Sequence, residues 1–151
     1  MKKKIYIAYG SNMDLEQMRY RCPNAKIKGT GILENWRLMF KGSLTGSYAT
    51  IEEEEWQNVP VVYFTITKSD EENLDYYEGY PIFYYKREVQ IKTYKGYIEG
   101  MVYIMDESRQ HGLPSDRYYK VLLEAYKKFG FDEHILSDAI KYSAEGIKEK
   151  I

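Results

Sequence analysis

Ile5-Tyr6-Ile7-Ala8-Tyr9-Gly10-Ser11-Asn12 is a short apolar run that breaks off at a glycine and two small polar residues. The apolar part reads as a first strand over about Lys4 to Tyr9, and a helix is expected to open at Asp14. A strand that stops at a glycine and turns into a helix leaves backbone N–H groups without partners. With the positive end of the helix dipole behind them, such groups suit a carboxylate or a phosphate. Ser11 and Asn12 add side-chain hydrogen-bonding groups at the same corner. Taken alone, the stretch is an ordinary strand-to-helix turn, for which Gly, Ser and Asn are common residues. Its meaning depends on what meets it in the fold.

Outward from this turn, the remaining segments are read in order. Asp14 is positioned to cap the first helix, with Gln17 as its capping-box partner, and Pro23-Asn24 stops that helix. Lys26 to Lys28 is strand-like, interrupted by Gly29-Thr30-Gly31. Ile32 to Phe40 and Tyr48 to Ile51 read as further strands. Glu52 to Glu55 reads as a solvated acidic loop. Val59 to Thr67 is nearly continuously apolar, the pattern of a strand buried on both faces, with Pro60 near its start. Ser69 is read as the cap of a short helix, with Glu72 as its partner and Gly79 as its exit. Phe83 to Lys92 alternates, Tyr94-Lys95-Gly96 turns the chain, and Tyr97 to Met105 returns as a hairpin. Two helices follow, one after Gly112-Leu113-Pro114-Ser115 and ending at Gly130, the other from about Asp132.

Strand, helix, several strands, short helix, hairpin and two helices do not make the regular alternation of a doubly wound sheet. The order points to an α+β fold, a mixed sheet curled into a small barrel of about five to six strands with helices packed outside. At 151 residues, with no long linker and no repeat, the chain is expected to form one domain over 1–151.

Composition narrows the function. Net charge is −1 and acidic and basic residues nearly balance, which argues against a nucleic-acid binder. No segment has the apolar length of a membrane span, no signal peptide is evident, and a cytoplasmic location is expected. The lone Cys22 rules out an internal disulfide and reads as a small packed side chain. The two histidines, His111 and His134, read as exposed loop or capping residues, so no metal site is expected. The 17 tyrosines are unusual. Most suit amphipathic strands, and a few suit the wall of a site.

Glu78 is the second residue of interest. It lies four positions after Leu74, near the apolar face of its helix, and in the last turn, where the dipole disfavours a carboxylate. Partial burial and the dipole would both raise its pKa, which suits a group that accepts and returns a proton near neutral pH. Taken alone, it reads as a surface glutamate fraying at a helix end.

The pair is more specific than either part. Tyr9-Gly10-Ser11-Asn12-Met13 after the first strand and Tyr77-Glu78-Gly79 at the end of a later short helix resemble the γ-glutamylcyclotransferase family. The resemblance runs along the whole chain and includes the hairpin after Gly79 and the loop 112–115, with Tyr118 opening the next helix. It implies a small mixed β-barrel flanked by helices, a glutamyl-binding loop of Tyr9, Gly10, Ser11, Asn12 and Met13, and Glu78 as the catalytic acid–base. It also implies Tyr103 and Tyr118 as pocket tyrosines, joined by at most one of Tyr84 and Tyr85, since neighbours in a strand face opposite ways.

The implied reaction releases 5-oxoproline and a free amine or amino acid from a γ-glutamyl compound. The substrate's own α-amine is the nucleophile, so no cofactor and no metal are required. The group attached through the γ-glutamyl bond stays open among an amino acid, the ε-amine of lysine, a biosynthetic amine and the cysteinylglycine of glutathione. The Tyr-Gly-Ser-Asn form leans toward γ-glutamyl-amino acids. Alternatives are a non-catalytic small-molecule binding module on the same fold, and an interaction domain using its tyrosines, which predicts a broad exposed aromatic patch. The expected partner is a small-molecule substrate, for a monomer or a homodimer.

Overall fold

The computed structural model describes residues 3–149. Five strands close into a barrel in the order β1-β3-β2-β4-β5. They are β1 (Lys4–Ala8), β2 (Lys26–Lys41), β3 (Tyr48–Ile66), β4 (Tyr84–Thr93) and β5 (Gly96–Met105). All neighbouring pairs are antiparallel except β1 with β5, where a parallel pairing of Tyr6 with Met101 closes the barrel. Four α-helices pack around it among the described residues: α1 (Leu15–Arg21), α2 (Lys68–Glu78), α3 (Asp116–Phe129) and α4 (His134–Glu149). This is the mixed α+β barrel that the order of segments predicts.

The strands are longer than their sequence punctuation suggests. Gly29-Thr30-Gly31 does not interrupt β2; it lies within it, and the irregularity appears as a register shift between Ile27 and Gly29. The acidic run Glu52–Glu55 is not a loop but the middle of β3. Cations from other strands meet three of its four carboxylates: Lys41 meets Glu52 at 2.5 Å, Arg37 meets Glu54 at 2.6 Å and Arg87 meets Glu53 at 2.5 Å. The β2–β3 hairpin bends at a second register shift between Glu34 and Trp36. Val59 to Phe64 is buried throughout, as its continuous apolar pattern predicts. Pro60 lies inside this strand opposite Ile32 of β2, just before the pairing with β1 begins at Val62.

Two helix starts also differ from expectation. Asp14 caps α1 by accepting the Glu16 N–H at 3.2 Å, but Gln17 turns away from the cap. In α2 the cap is Thr67, with Asp70 as its reciprocal partner, two residues upstream of Ser69 and Glu72. Asp70 is fully buried and also accepts the Asn24 N–H, so its carboxylate ties the end of α1 to the start of α2. Ser115 caps α3, and Gly130, with φ of 72°, ends it.

The core fills the barrel and the space beneath the helices. Cys22 is buried in it, as expected. His134 is exposed beside Asp132 at the start of α4. His111 is not an exposed loop residue. It is half-buried against α4, with its ring 5.6 Å from that of Tyr142 and Nδ1 3.5 Å from Ser143 Oγ. The neighbouring glycine, Gly146, leaves room for this ring.

Candidate active site

The turn after β1 lies at one end of the barrel. Gly10 is followed by a single 3-10 turn, Ser11–Met13, in which Met13 N–H bonds Gly10 O at 3.0 Å and Asp14 N–H bonds Ser11 O at 3.0 Å. No side chain caps this turn, so its leading N–H groups stay available to a ligand. Gly10 permits a close approach here: a Cβ at this position would stand 3.3 Å from the Tyr118 hydroxyl.

Glu78 arrives from the opposite side as the last residue of α2. Gly79, with φ of 65°, turns the chain away immediately after it. Between this helix end and the turn lies a cavity of about 590 Å³, lined by Tyr9, Gly10, Ser11, Asn12, Glu78, Tyr103 and Tyr118 among others. The expected site residues are thus gathered on one cavity, with one exception. Met13, expected at the apolar end of the binding loop, is fully buried in the core beneath the turn and does not line the cavity. A side chain in a 3-10 turn points about a third of a revolution from its neighbour, so Asn12 and Met13 cannot share a face.

Asn12 joins the two halves. Its Nδ2 donates to Tyr6 Oη at 2.9 Å and lies 3.4 Å from Glu78 Oε1. Its Oδ1 accepts from Arg21 Nη1 at 2.8 Å, which fixes the amide orientation. Gln17 completes the cluster: with its amide oriented to satisfy both neighbours, it accepts from Arg21 Nη2 at 3.1 Å and donates to Ser11 O at 3.0 Å. Arg21 also lies over the Tyr77 ring, 4.6 Å from its centroid, and its carbonyl accepts from Asn73 Nδ2 at 3.0 Å. The end of α1 is therefore pinned to the last turns of α2.

Burial pushes the Glu78 carboxyl up to about 7, against the opposing pull of the Arg21 guanidinium. Residue Glu78 as a whole is only half-buried, because one side faces the cavity. Its carboxyl is enclosed by protein and bonded to one weak donor, which is why desolvation prevails.

The tyrosines form the walls. Tyr9 Oη donates to Tyr103 O at 2.6 Å, and Tyr103 Oη donates to Asp75 Oδ1 at 2.6 Å. Tyr118 Oη accepts the Ala49 N–H at 3.1 Å, while Tyr84 Oη donates to Ala49 O at 2.7 Å. Burial holds the Tyr6, Tyr9, Tyr84, Tyr103 and Tyr118 hydroxyls above their ordinary pKa, and the nearby Glu78 charge adds to this, so all remain neutral at pH 7. Of the adjacent pair, Tyr84 lines the cavity and Tyr85 turns outward to Glu107.

Several lining residues are not legible as site residues in the sequence: Tyr6, Gln17, Arg21, Tyr48 and Arg117. One signal was present. Gln17 and Arg21 are four apart, which places them on one face of a helix that starts just after the turn. Among the described residues no group of three or more His, Cys, Asp or Glu could hold a metal ion, and no helix is long and apolar enough to cross a membrane.

Residues 6–121 match the family described as γ-glutamyl cyclotransferase, AIG2-like. A solved γ-glutamyl cyclotransferase is 26% identical, with a TM-score of 0.82 over 91% of this chain and 86% of the other. A protein from Homo sapiens, described as uncharacterized, is 28% identical with the same TM-score of 0.82, over 92% of this chain and 87% of the other. A yeast γ-glutamyl cyclotransferase specific to glutathione shares the fold at 11% identity, with a TM-score of 0.65 over 96% of this chain and 97% of that one. No curated protein sequence matches the chain. With more than two thirds of its length matched, the chain belongs to the γ-glutamyl cyclotransferase, AIG2-like family.

Proposed function

We propose that the protein is a γ-glutamylcyclotransferase-type enzyme that converts a γ-glutamyl amine or γ-glutamyl amino acid to 5-oxoproline and the free amine or amino acid. The observation that carries this reading is the position of Glu78, enclosed, with its pKa pushed up to about 7, across one cavity from the Gly10–Asn12 turn.

The substrate's α-amine attacks its own side-chain carbonyl. A C–N bond forms and closes a five-membered lactam, and the original amide C–N bond breaks. Glu78 takes the proton from the attacking ammonium and returns one to the departing nitrogen, which would otherwise leave poorly. A carboxyl with a pKa near the working pH serves both steps. Asn12, 3.4 Å from Glu78, lies beside this proton transfer. The free N–H groups of the turn hold the glutamyl carboxylate or the oxygen that gains charge as the amine attacks. Neutral tyrosine walls exclude water and hold the glutamyl chain bent, and orienting an intramolecular attack in this way contributes up to about 7–11 kcal/mol in favourable cases.

Incubation with a panel of γ-glutamyl-amino acids and γ-glutamyl-amines, with detection of 5-oxoproline, tests the proposal. Turnover in the native protein, lost in Glu78→Gln with ligand binding retained, supports it. Binding without 5-oxoproline formation would instead make the protein a small-molecule binding module on this fold.

A further inference from the structure

We infer that Arg117 reads a carboxylate on the leaving group, so that the cavity selects γ-glutamyl compounds whose released amine is itself an acid. This rests on the turnover proposed above and adds a specificity residue to it.

Three charged side chains line the cavity among the described residues: Arg21, Glu78 and Arg117. Arg21 and Arg117 differ in what they already hold. Arg21 donates to Asn12 and to Gln17 and lies on Tyr77. The Arg117 side chain has no ion pair, hydrogen bond or ring contact among the described residues. It is also placed against local preference, as the second residue of α3, where the positive end of the helix dipole disfavours a cation. A guanidinium there gains nothing from its own helix, and both it and the dipole favour an incoming anion.

The start of its helix is nonetheless well fixed. The preceding Ser115 accepts the Tyr118 N–H at 3.1 Å, and Tyr118 in turn holds Ala49 N–H on the cavity wall. The aromatic edge formed by Tyr48 and Tyr118, 5.2 Å apart, lies on the same wall and offers an apolar surface to a leaving-group side chain.

The charges then match one class of substrate. A γ-glutamyl amino acid carries one ammonium and two carboxylates, whereas a γ-glutamyl alkylamine carries only one carboxylate. In this assignment Glu78 meets the ammonium, and the turn, with Arg21 bonded to Asn12 beside it, meets the glutamyl carboxylate. A second carboxylate, on the leaving amino acid, has Arg117 as its remaining counter-charge. Arg117 is exposed, so water and salt weaken the pair, and the expected preference is roughly ten-fold.

The test compares γ-glutamyl-alanine with γ-glutamyl-alaninamide, which differ in that carboxylate alone. In the native protein kcat/KM should favour the acid by about ten-fold, with a preference that shrinks as salt rises. Arg117→Met should bring the ratio close to one, and Arg117→Lys should retain part of it. A ratio near one in the native protein, or an unchanged ratio in Arg117→Met, overturns the assignment. Calorimetric binding of both ligands to Glu78→Gln, with and without Arg117→Met, gives a second reading. If no ligand is turned over, the cyclotransferase reading fails, and the acid-to-amide binding ratio still decides the role of Arg117.

Discussion

Asn12 Nδ2 lies 3.4 Å from Glu78 Oε1, joining the turn after the first strand to the last residue of α2 across 66 positions of sequence. The contact depends on a third residue. Arg21 occupies the amide oxygen of Asn12, which leaves only the amide nitrogen to face the glutamate. Arg21 also opposes the upward shift of the Glu78 pKa. Removing it in Arg21→Met should raise that pKa further, move the acidic limb of the kcat/KM profile to higher pH, and lower activity at pH 7 by about ten-fold. Arg21→Lys keeps the charge but not the planar fork that serves Asn12 and Gln17 together, so it should shift the limb less while still lowering kcat. A pH–rate profile of both variants that coincides with the native one would remove Arg21 from the site.

The native profile carries its own expectation. Glu78 must be ionised to take a proton, and burial raises its pKa to about 7. Activity as kcat/KM should therefore rise with pH through about that value, well above the range of an ordinary carboxylate. Glu78→Gln should lose this limb and fall by about 10²–10⁴-fold. A limb near pH 4.5 would mean that Glu78 is solvated in the working enzyme.

The same shift has a consequence for stability. The folded-state pKa of Glu78 lies above the unfolded value, 4.5, so the folded protein binds the proton more tightly than the unfolded chain does. The native state is favoured while Glu78 is protonated, and stability is lost as pH rises from about 4.5 through about 7. At 1.36 kcal/mol per unit, the difference reaches about 3 kcal/mol. Glu78→Gln, which keeps the shape without the charge, should melt close to the native protein at pH 5 and clearly above it at pH 8. Thermal melts at the two values check this, and an equal gap at both would contradict it.

These relationships explain how much of the site was readable beforehand. The strand, the glycine turn and the Glu at a helix end are local patterns, and the sequence carries them in consecutive residues. The Arg21–Asn12–Glu78 chain is a tertiary arrangement, visible only once α1 and α2 are stitched through Asp70 and Asn73. The acidic run differs from its sequence pattern for the same reason. Four glutamates in a row look like a solvated loop until β2 and β4 bring Lys41, Arg37 and Arg87 against them. Thr67 and Ser69 are both good caps in sequence, and the buried Asp70, which closes the capping box with Thr67, selects the former. The family resemblance includes Met13 in the binding loop, but the tight turn sends its side chain and that of Asn12 to different sides.

The strap beneath the cavity wall supplies a last prediction. Residues 110–113 run alongside 40–47. Gly42 N–H bonds Gln110 O at 3.0 Å, Gly112 N–H bonds Phe40 O at 3.2 Å, Leu113 N–H bonds Leu44 O at 3.0 Å and Ser47 N–H bonds Leu113 O at 3.1 Å. This ladder fixes where α3 begins and hence where Tyr118 and Arg117 meet the cavity. It closes only because residue 112 lacks a side chain: a Cβ there would stand 1.6 Å from the carbonyl oxygen of Ser43. Backbone on both sides leaves no flexible atom to yield. Gly112→Ala should therefore separate the two segments, at a cost of about 1–3 kcal/mol, and raise KM by displacing the start of α3. Gly46→Ala is the control, since a Cβ at Gly46 would meet nothing within 4 Å. Its φ of 69° carries only the modest cost of a left-handed backbone, about 1–2 kcal/mol. Both variants should lose some thermal stability, but only Gly112→Ala should raise KM as well. Equal KM values in the two would show that the strap does not position the wall.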